Sequence, residues 1–123
     1  MTKKFWERPL VYVAGPYRTP DPVVNTANAV KAGDELNDSG IVTAFVPHLT
    51  LLWHLVCPHG DTTVDGQAYW YEYDMTVLNR SDAVLRLPGA SSGADAEVEF
   101  AREHDIPVFF DRVSLYAWAG GGQ

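Results

Sequence analysis

Two carboxylates, Asp74 and Glu97, stand where acid–base or nucleophilic work is chemically reasonable. Asp74 lies four residues after Trp70 and four before Leu78, which puts it within an apolar helical face. Burial there disfavours the charged form and raises the pKa, which suits a group that holds a proton near neutrality and gives it to a departing base. The alternative is that the face turns, so that Asp74 reaches solvent or caps a neighbouring element. Glu97 falls in the first turn of a helix, with Ala94 and Ala101 as small neighbours that leave room for a ligand above it. Here too a plainer reading stays open, because Asp95, Glu97 and Glu99 all lie where a helix dipole favours negative charge.

Ser91-Ser92-Gly93 before that helix offers N–H groups and hydroxyls to an anion, and Arg18 at the end of the first strand could close over it. Short Ser/Gly turns before helices are common without a ligand. His48 after Pro47, with Trp53 and His54, could line a pocket and stack on a base, although a histidine beside aromatics is often structural. No Ser/His/Asp order, P-loop or Gly-x-Gly-x-x-Gly pattern occurs, so serine hydrolases, kinases and nicotinamide enzymes have no support. Cys57 is the lone cysteine, no paired Cys/His spacing suggests a metal, and no cofactor is expected.

These residues need elements to position them. Leu10 to Ala14 is an apolar run ending at Gly15-Pro16, read as a first strand buried on both faces. Pro22 opens a helix closed by Asp38-Ser39-Gly40, with Gly40 suited to a left-handed position. Ile41 to Val46 reads as a second strand, and Pro47 to Gly66 as a loop or lid, with a short helix possible from Leu49 to Val56 and turn chemistry at Pro58-His59-Gly60-Asp61 and Asp65-Gly66. Gln67 to Arg80 is a helix with Trp70, Tyr73, Val77 and Leu78 on one face, followed by a strand from Asp82 to Leu87. Ser92 and Asp95 suggest a capping box for a helix from Ala94 to His104. Ile106 to Phe110 is a fourth strand, and Val113 to Trp118 a candidate fifth before the flexible Gly120-Gly121-Gly122 tail.

Alternating strands and helices predict an α/β, flavodoxin-like or Rossmann-like three-layer sandwich with a parallel sheet of four to five strands, in one domain spanning residues 1–123. Ligands in such folds bind outside the carboxyl ends of the strands, here Gly15 to Thr19, Pro47-His48, Pro88 to Gly93 and Asp111. A hydrophobic content of 46% with 20% charged residues is that of a folded globular chain. A net charge of −7, with only nine dispersed basic residues, argues against long nucleic acid as a partner. The absence of a signal-like or membrane-length apolar run leads to the expectation of a cytoplasmic protein with no membrane association.

Three motifs in register, Tyr12-Val13-Ala14-Gly15-Pro16-Tyr17-Arg18, Asp74 with Asp82 eight residues on, and Ser91-x-Gly93-x-x-x-Glu97-x-x-x-Ala101, resemble the nucleoside 2-deoxyribosyltransferase superfamily from about Leu10 to Phe110. Key spacings are shared with its deoxynucleoside 5′-monophosphate N-glycosidases. The resemblance implies a glutamate nucleophile at Glu97, an orienting tyrosine at Tyr12 and an acidic proton donor at Asp74. It also implies a 5′-phosphate held by Ser91 and Arg18; Gly15 and Gly93, within the matched motifs, and His48, from its place after the second strand, are the further substrate contacts expected. The expected partner is a small nucleoside or nucleotide, and the expected assembly a homodimer or higher homo-oligomer whose neighbouring subunit completes the site. Two other classes remain open at this point: a non-catalytic nucleotide-binding sensor on the same fold, and an interaction module whose aromatic surface, Trp53 and Tyr69 to Tyr73, docks a protein.

Overall fold

The structure is a computed structural model that describes residues 3–59 and 64–120. Four strands, β1 (Leu10–Ala14), β2 (Thr43–Phe45), β3 (Ala83–Arg86) and β4 (Val108–Phe109), form one parallel sheet in the order β2-β1-β3-β4. Pairing of Tyr12 with Phe45 on one side and Val84 on the other makes β1 a central strand. That explains its unbroken apolar run, since both faces and both edges are covered.

Side chains of the central strands alternate between two cores. Val11, Val13, Ala83 and Leu85 pack with Ala29 and Leu36 of helix α1 (Pro22–Asp38) and Leu115 of helix α5 (Arg112–Gly120). Tyr12, Ala14 and Val84 face the other way, onto Met75 and Leu78 of helix α3 (Val64–Leu78) and Ala94 and Ala101 of helix α4 (Ser92–Glu103). Helices thus cover both faces, giving the three-layer arrangement expected of alternating elements. The period of two decides which residues of β1 and β3 can meet α4.

The ends of α1 follow its sequence signals. Asp21 is the N-cap and accepts from the Val23 and Val24 amides at 2.8 and 3.3 Å, Pro22 opens the first turn, and Gly40 takes a φ of 73° after the C-cap Ser39.

Several expectations are corrected. The candidate fifth strand, Val113 to Trp118, is helix α5. Asp111 accepts from the Ser114 amide at 2.7 Å and from its hydroxyl at 3.0 Å, which starts a helix, and Leu115 and Ala119 then fall four apart against the core. Of the Gly120-Gly121-Gly122 tail, Gly120 ends α5 and the rest lies outside the described residues. The Pro47 to Gly66 segment is largely helical: a 3-10 turn at Pro47–Leu49 runs into helix α2 (Thr50–Val56), and α3 starts at Val64, so Asp65-Gly66 is helix rather than turn. Gly60-Asp61 lies outside the described residues. Helix α4 is capped by Ser91, not Ser92, with the Ser91 hydroxyl oxygen accepting from the Ala94 amide at 3.0 Å. The capping box fails because Asp95 points instead to Arg86, 2.9 Å away. No helix among the described residues is long and apolar enough to cross a membrane.

Candidate active site

A cavity of about 590 Å³ opens at the carboxyl ends of the strands. Three loops form its walls: Gly15 to Thr19 after β1, Pro47 and His48 after β2, and Ala90 to Gly93 between β3 and α4. Trp70, Tyr71 and Asp74 of α3 and Glu97 of α4 complete it. The loops are drawn together at Gly89, whose φ is 114° and where a Cβ would meet Pro16 Cγ at 2.8 Å. Only glycine allows both that backbone conformation and that approach.

Glu97 is the sixth residue of α4 and so lies in its second turn, not the first; Asp95 is the acid of the first turn. The helix-dipole account of Glu97 weakens accordingly, since that effect fades beyond the first turn. Its Oε2 accepts a hydrogen bond from the Tyr12 hydroxyl, which rises from β1 on the same side of the sheet. Tyr12 is fully buried, and burial together with the nearby Glu97 and Asp74 carboxyls holds its phenol well above the ordinary range. It therefore keeps its proton and remains a donor.

Asp74 does stand in a buried environment, and its Oδ1 has no hydrogen-bond partner. Burial, reinforced by the Glu97 charge, raises its pKa to about 8. Burial also raises Glu97, to about 7, while the Tyr12 hydroxyl and the Arg86 guanidinium oppose that rise. Both acids are raised, and the Tyr12 hydroxyl and Arg86 favour the ionised form of Glu97 where Asp74 has no such support.

Arg86 escaped the sequence reading. It ends β3 on the face shared by Tyr12 and Val84, is 8% exposed, and donates to the Leu87 carbonyl and to Asp95 Oδ1. An arginine inside the apolar run Ala83 to Leu87 is itself the signal, because a buried cation needs partners, and here Asp95 and Glu97 supply negative charge. Tyr17, Trp70 and Tyr71 also line the cavity without having been singled out as contacts.

The cavity gathers the other candidates unequally. Gly15, Arg18, His48, Ser91 and Gly93 all line it. Arg18 is exposed and lies beside Tyr17, whose phenol it pulls downward against a larger upward effect of burial. A Cβ at Gly93 would meet nothing nearer than Ser91 Oγ at 3.9 Å, so protein packing does not require glycine there. His48 is buried, and its Nε2 donates to the Pro16 carbonyl at 3.0 Å; burial lowers its pKa, which keeps the ring neutral. It braces the loop after β1. His54 lines the cavity, whereas Trp53 does not and packs edge-on against Trp70 and Tyr73. Asp82 stands at the opposite end of the sheet, where its Oδ2 accepts from the Leu10 amide at 2.7 Å, so its place in the motif is structural. Among the described residues no group of three or more His, Cys, Asp or Glu could hold a metal ion.

No protein-family model and no curated protein matches the chain. Among solved structures, a 2-deoxyribosyltransferase from the psychrotolerant bacterium Bacillus psychrosaccharolyticus superposes with a TM-score of 0.57 over 80% of this chain and 69% of that one, at 18% identity. The chain has the 2-deoxyribosyltransferase fold. In this chain's version of the fold, Asp74 and Glu97 line the cavity at the end of the sheet where α/β folds place their ligands, and Tyr12, buried in the middle of β1 and not itself lining the cavity, reaches Glu97.

Proposed function

We propose that the chain cleaves or transfers the N-glycosidic bond of a nucleoside or a nucleoside 5′-monophosphate. The observation that carries this reading is the pairing of a tyrosine-held carboxylate, Glu97, with a second acid, Asp74, that stays protonated beside it at one cavity. Glu97 attacks C1′ of the sugar as the bond to the base breaks, and the Asp74 proton passes to the departing base nitrogen. The product is a glycosyl ester on Glu97. Water or a second base then takes the sugar and releases the carboxylate, and the Asp74 carboxylate, now a base, removes the acceptor's proton. The activity of the solved structure that shares this fold, a 2-deoxyribosyltransferase, agrees with that chemistry.

Ser91, Gly93 and Arg18 are assigned to the 5′-phosphate. Ser91 and Gly93 at the start of α4 offer backbone donors, Arg18 of the loop after β1 adds a cation to the same cavity, and the space above Gly93 lets an anion approach the helix end. Gly15 and His48 shape the sugar side. The chain is further assigned a homo-oligomeric state through the exposed apolar residues Leu49, Leu52, Leu55 and Val56 around α2, which light scattering on the purified chain would detect.

The deciding experiment screens nucleosides and their 5′-monophosphates for free-base release by chromatography, beside calorimetry of the same mixtures. Base release that disappears in a folded Glu97→Ala variant supports the reading. Binding without product would make the chain a nucleotide sensor, and full turnover by Glu97→Ala would refute the mechanism.

A further inference from the structure

Trp70 and Tyr71, a turn before Asp74 on α3, line the same cavity, and Trp70 fixes a further side chain. Its indole Nε1 lies 2.9 Å from His54 Nδ1. An indole N–H can only donate, so His54 Nδ1 must be the acceptor, and in the neutral ring the proton resides on Nε2. His54 is partly buried and lines the cavity, and its Nε2 has no hydrogen-bond partner among the described residues. Edge-on packing of the His54 and Trp70 rings, at a centroid distance of 6.1 Å, and of Trp53 against Trp70 at 5.4 Å holds this end of α2 on α3. The result is an imidazole whose Nδ1 is committed as an acceptor, on a side chain that lines the cavity and has Nε2–H as its remaining donor.

From this geometry we infer that His54 is a base-recognition and leaving-group residue, donating its Nε2–H to a ring nitrogen or carbonyl oxygen of the departing nucleobase. The inference rests on the N-glycosidic reading, which places the base at the Asp74 end of the cavity. Trp70 and Asp74 are four residues apart and stack along one face of α3, so a base protonated by Asp74 extends over Trp70 towards His54. A leaving base gains negative charge as its bond to C1′ breaks, and that charge is shared by the acceptor atoms of its ring. A donor aimed at one of them binds the transition state more tightly than the intact nucleoside. The ligand class that follows is a heteroaromatic base with an acceptor near its glycosidic nitrogen, rather than any good leaving group.

The test compares wild type, His54→Phe and His54→Gln on each nucleoside or nucleotide that the wild type turns over, beside analogues in which a single acceptor of the base is replaced by C–H, such as the 3-deaza and 7-deaza purines. Wild type should lose about 10- to 100-fold in kcat/KM on one analogue. His54→Phe should lose a similar factor on the natural base and nothing more on that analogue, while His54→Gln, which keeps a donor, recovers part of the discrimination. A role confined to holding α2 on α3 would instead slow natural base and analogue alike, and that result, or no loss at all, overturns the inference. Calorimetry with the free bases gives a readout independent of turnover. If no nucleoside is cleaved by wild type, the N-glycosidic reading fails, and the free-base affinities of wild type and His54→Phe still decide whether His54 recognises a base: weaker binding by the variant keeps that part, and equal binding removes it.

Discussion

The Tyr12 hydroxyl donates to Glu97 Oε2, joining the middle of the central strand to the second turn of α4 across 85 residues of sequence. The bond fixes the rotamer of the carboxylate at the cavity floor and favours its ionised form. Removing it should therefore act on rate and on pH together. In Tyr12→Phe, kcat/KM should fall by roughly 10- to 100-fold, the scale of a hydrogen bond to a charged group, and the acid limb should move to higher pH. An unchanged profile measured by base release would separate Tyr12 from Glu97.

The wild-type profile should be a bell. Activity needs Glu97 ionised, above about pH 7, and Asp74 protonated, below about pH 8, so kcat/KM should peak between those values. A rate that stays flat from pH 6 to 9 would contradict the assignment of the two roles.

Asp74→Asn should lower base release by about 10² to 10⁴-fold, the usual contribution of a general acid, and the loss should shrink with leaving groups that depart without a proton. The same variant tests a stability effect. Asp74 and Glu97 both have folded pKa values above their ordinary ones, so the folded protein holds protons that the unfolded chain has released between about pH 4 and 8. Their contribution is full below the ordinary carboxyl range and is lost as pH rises to about 8. Urea unfolding across that window should show declining stability in wild type and a flatter dependence in Asp74→Asn.

The Arg86 guanidinium, tied to Leu87 and Asp95, favours the ionised form of Glu97 through its charge. Arg86→Met should raise the Glu97 pKa by about a unit, as loss of a nearby opposite charge does, with Arg86→Lys giving partial rescue. Carbon-13 NMR titration of the glutamate carboxyls in the free protein reads this without any substrate. A Glu97 titration that does not move would limit Arg86 to packing.

The order of elements was legible because its signals are local. The apolar run Leu10 to Ala14, the Pro22 start and Gly40 end of α1, and the alternation that follows are set by propensity and period, and they suffice for a parallel α/β sheet. Local signals also failed where two elements compete: β-branched and aromatic residues from Val113 to Trp118 read as strand until Asp111 capped them as helix against the core.

Asp74 and Glu97 were marked by sequence as costly or ambiguous acids, yet nothing in their spacing could say that they converge. That convergence depends on the period of two in β1, which turns Tyr12 rather than Val11 or Val13 towards α3 and α4, and on the crossovers that set those helices side by side. The same long-range placement gave Arg86 its partners Leu87 and Asp95 and joined Trp70 to His54, neither of which local sequence could supply. Burial and partner identity determine protonation, and both are properties of packing between distant segments. Sequence alone therefore decided most of the elements and the candidate acids, and only the tertiary structure decided that the two acids share one cavity and that Tyr12 holds Glu97.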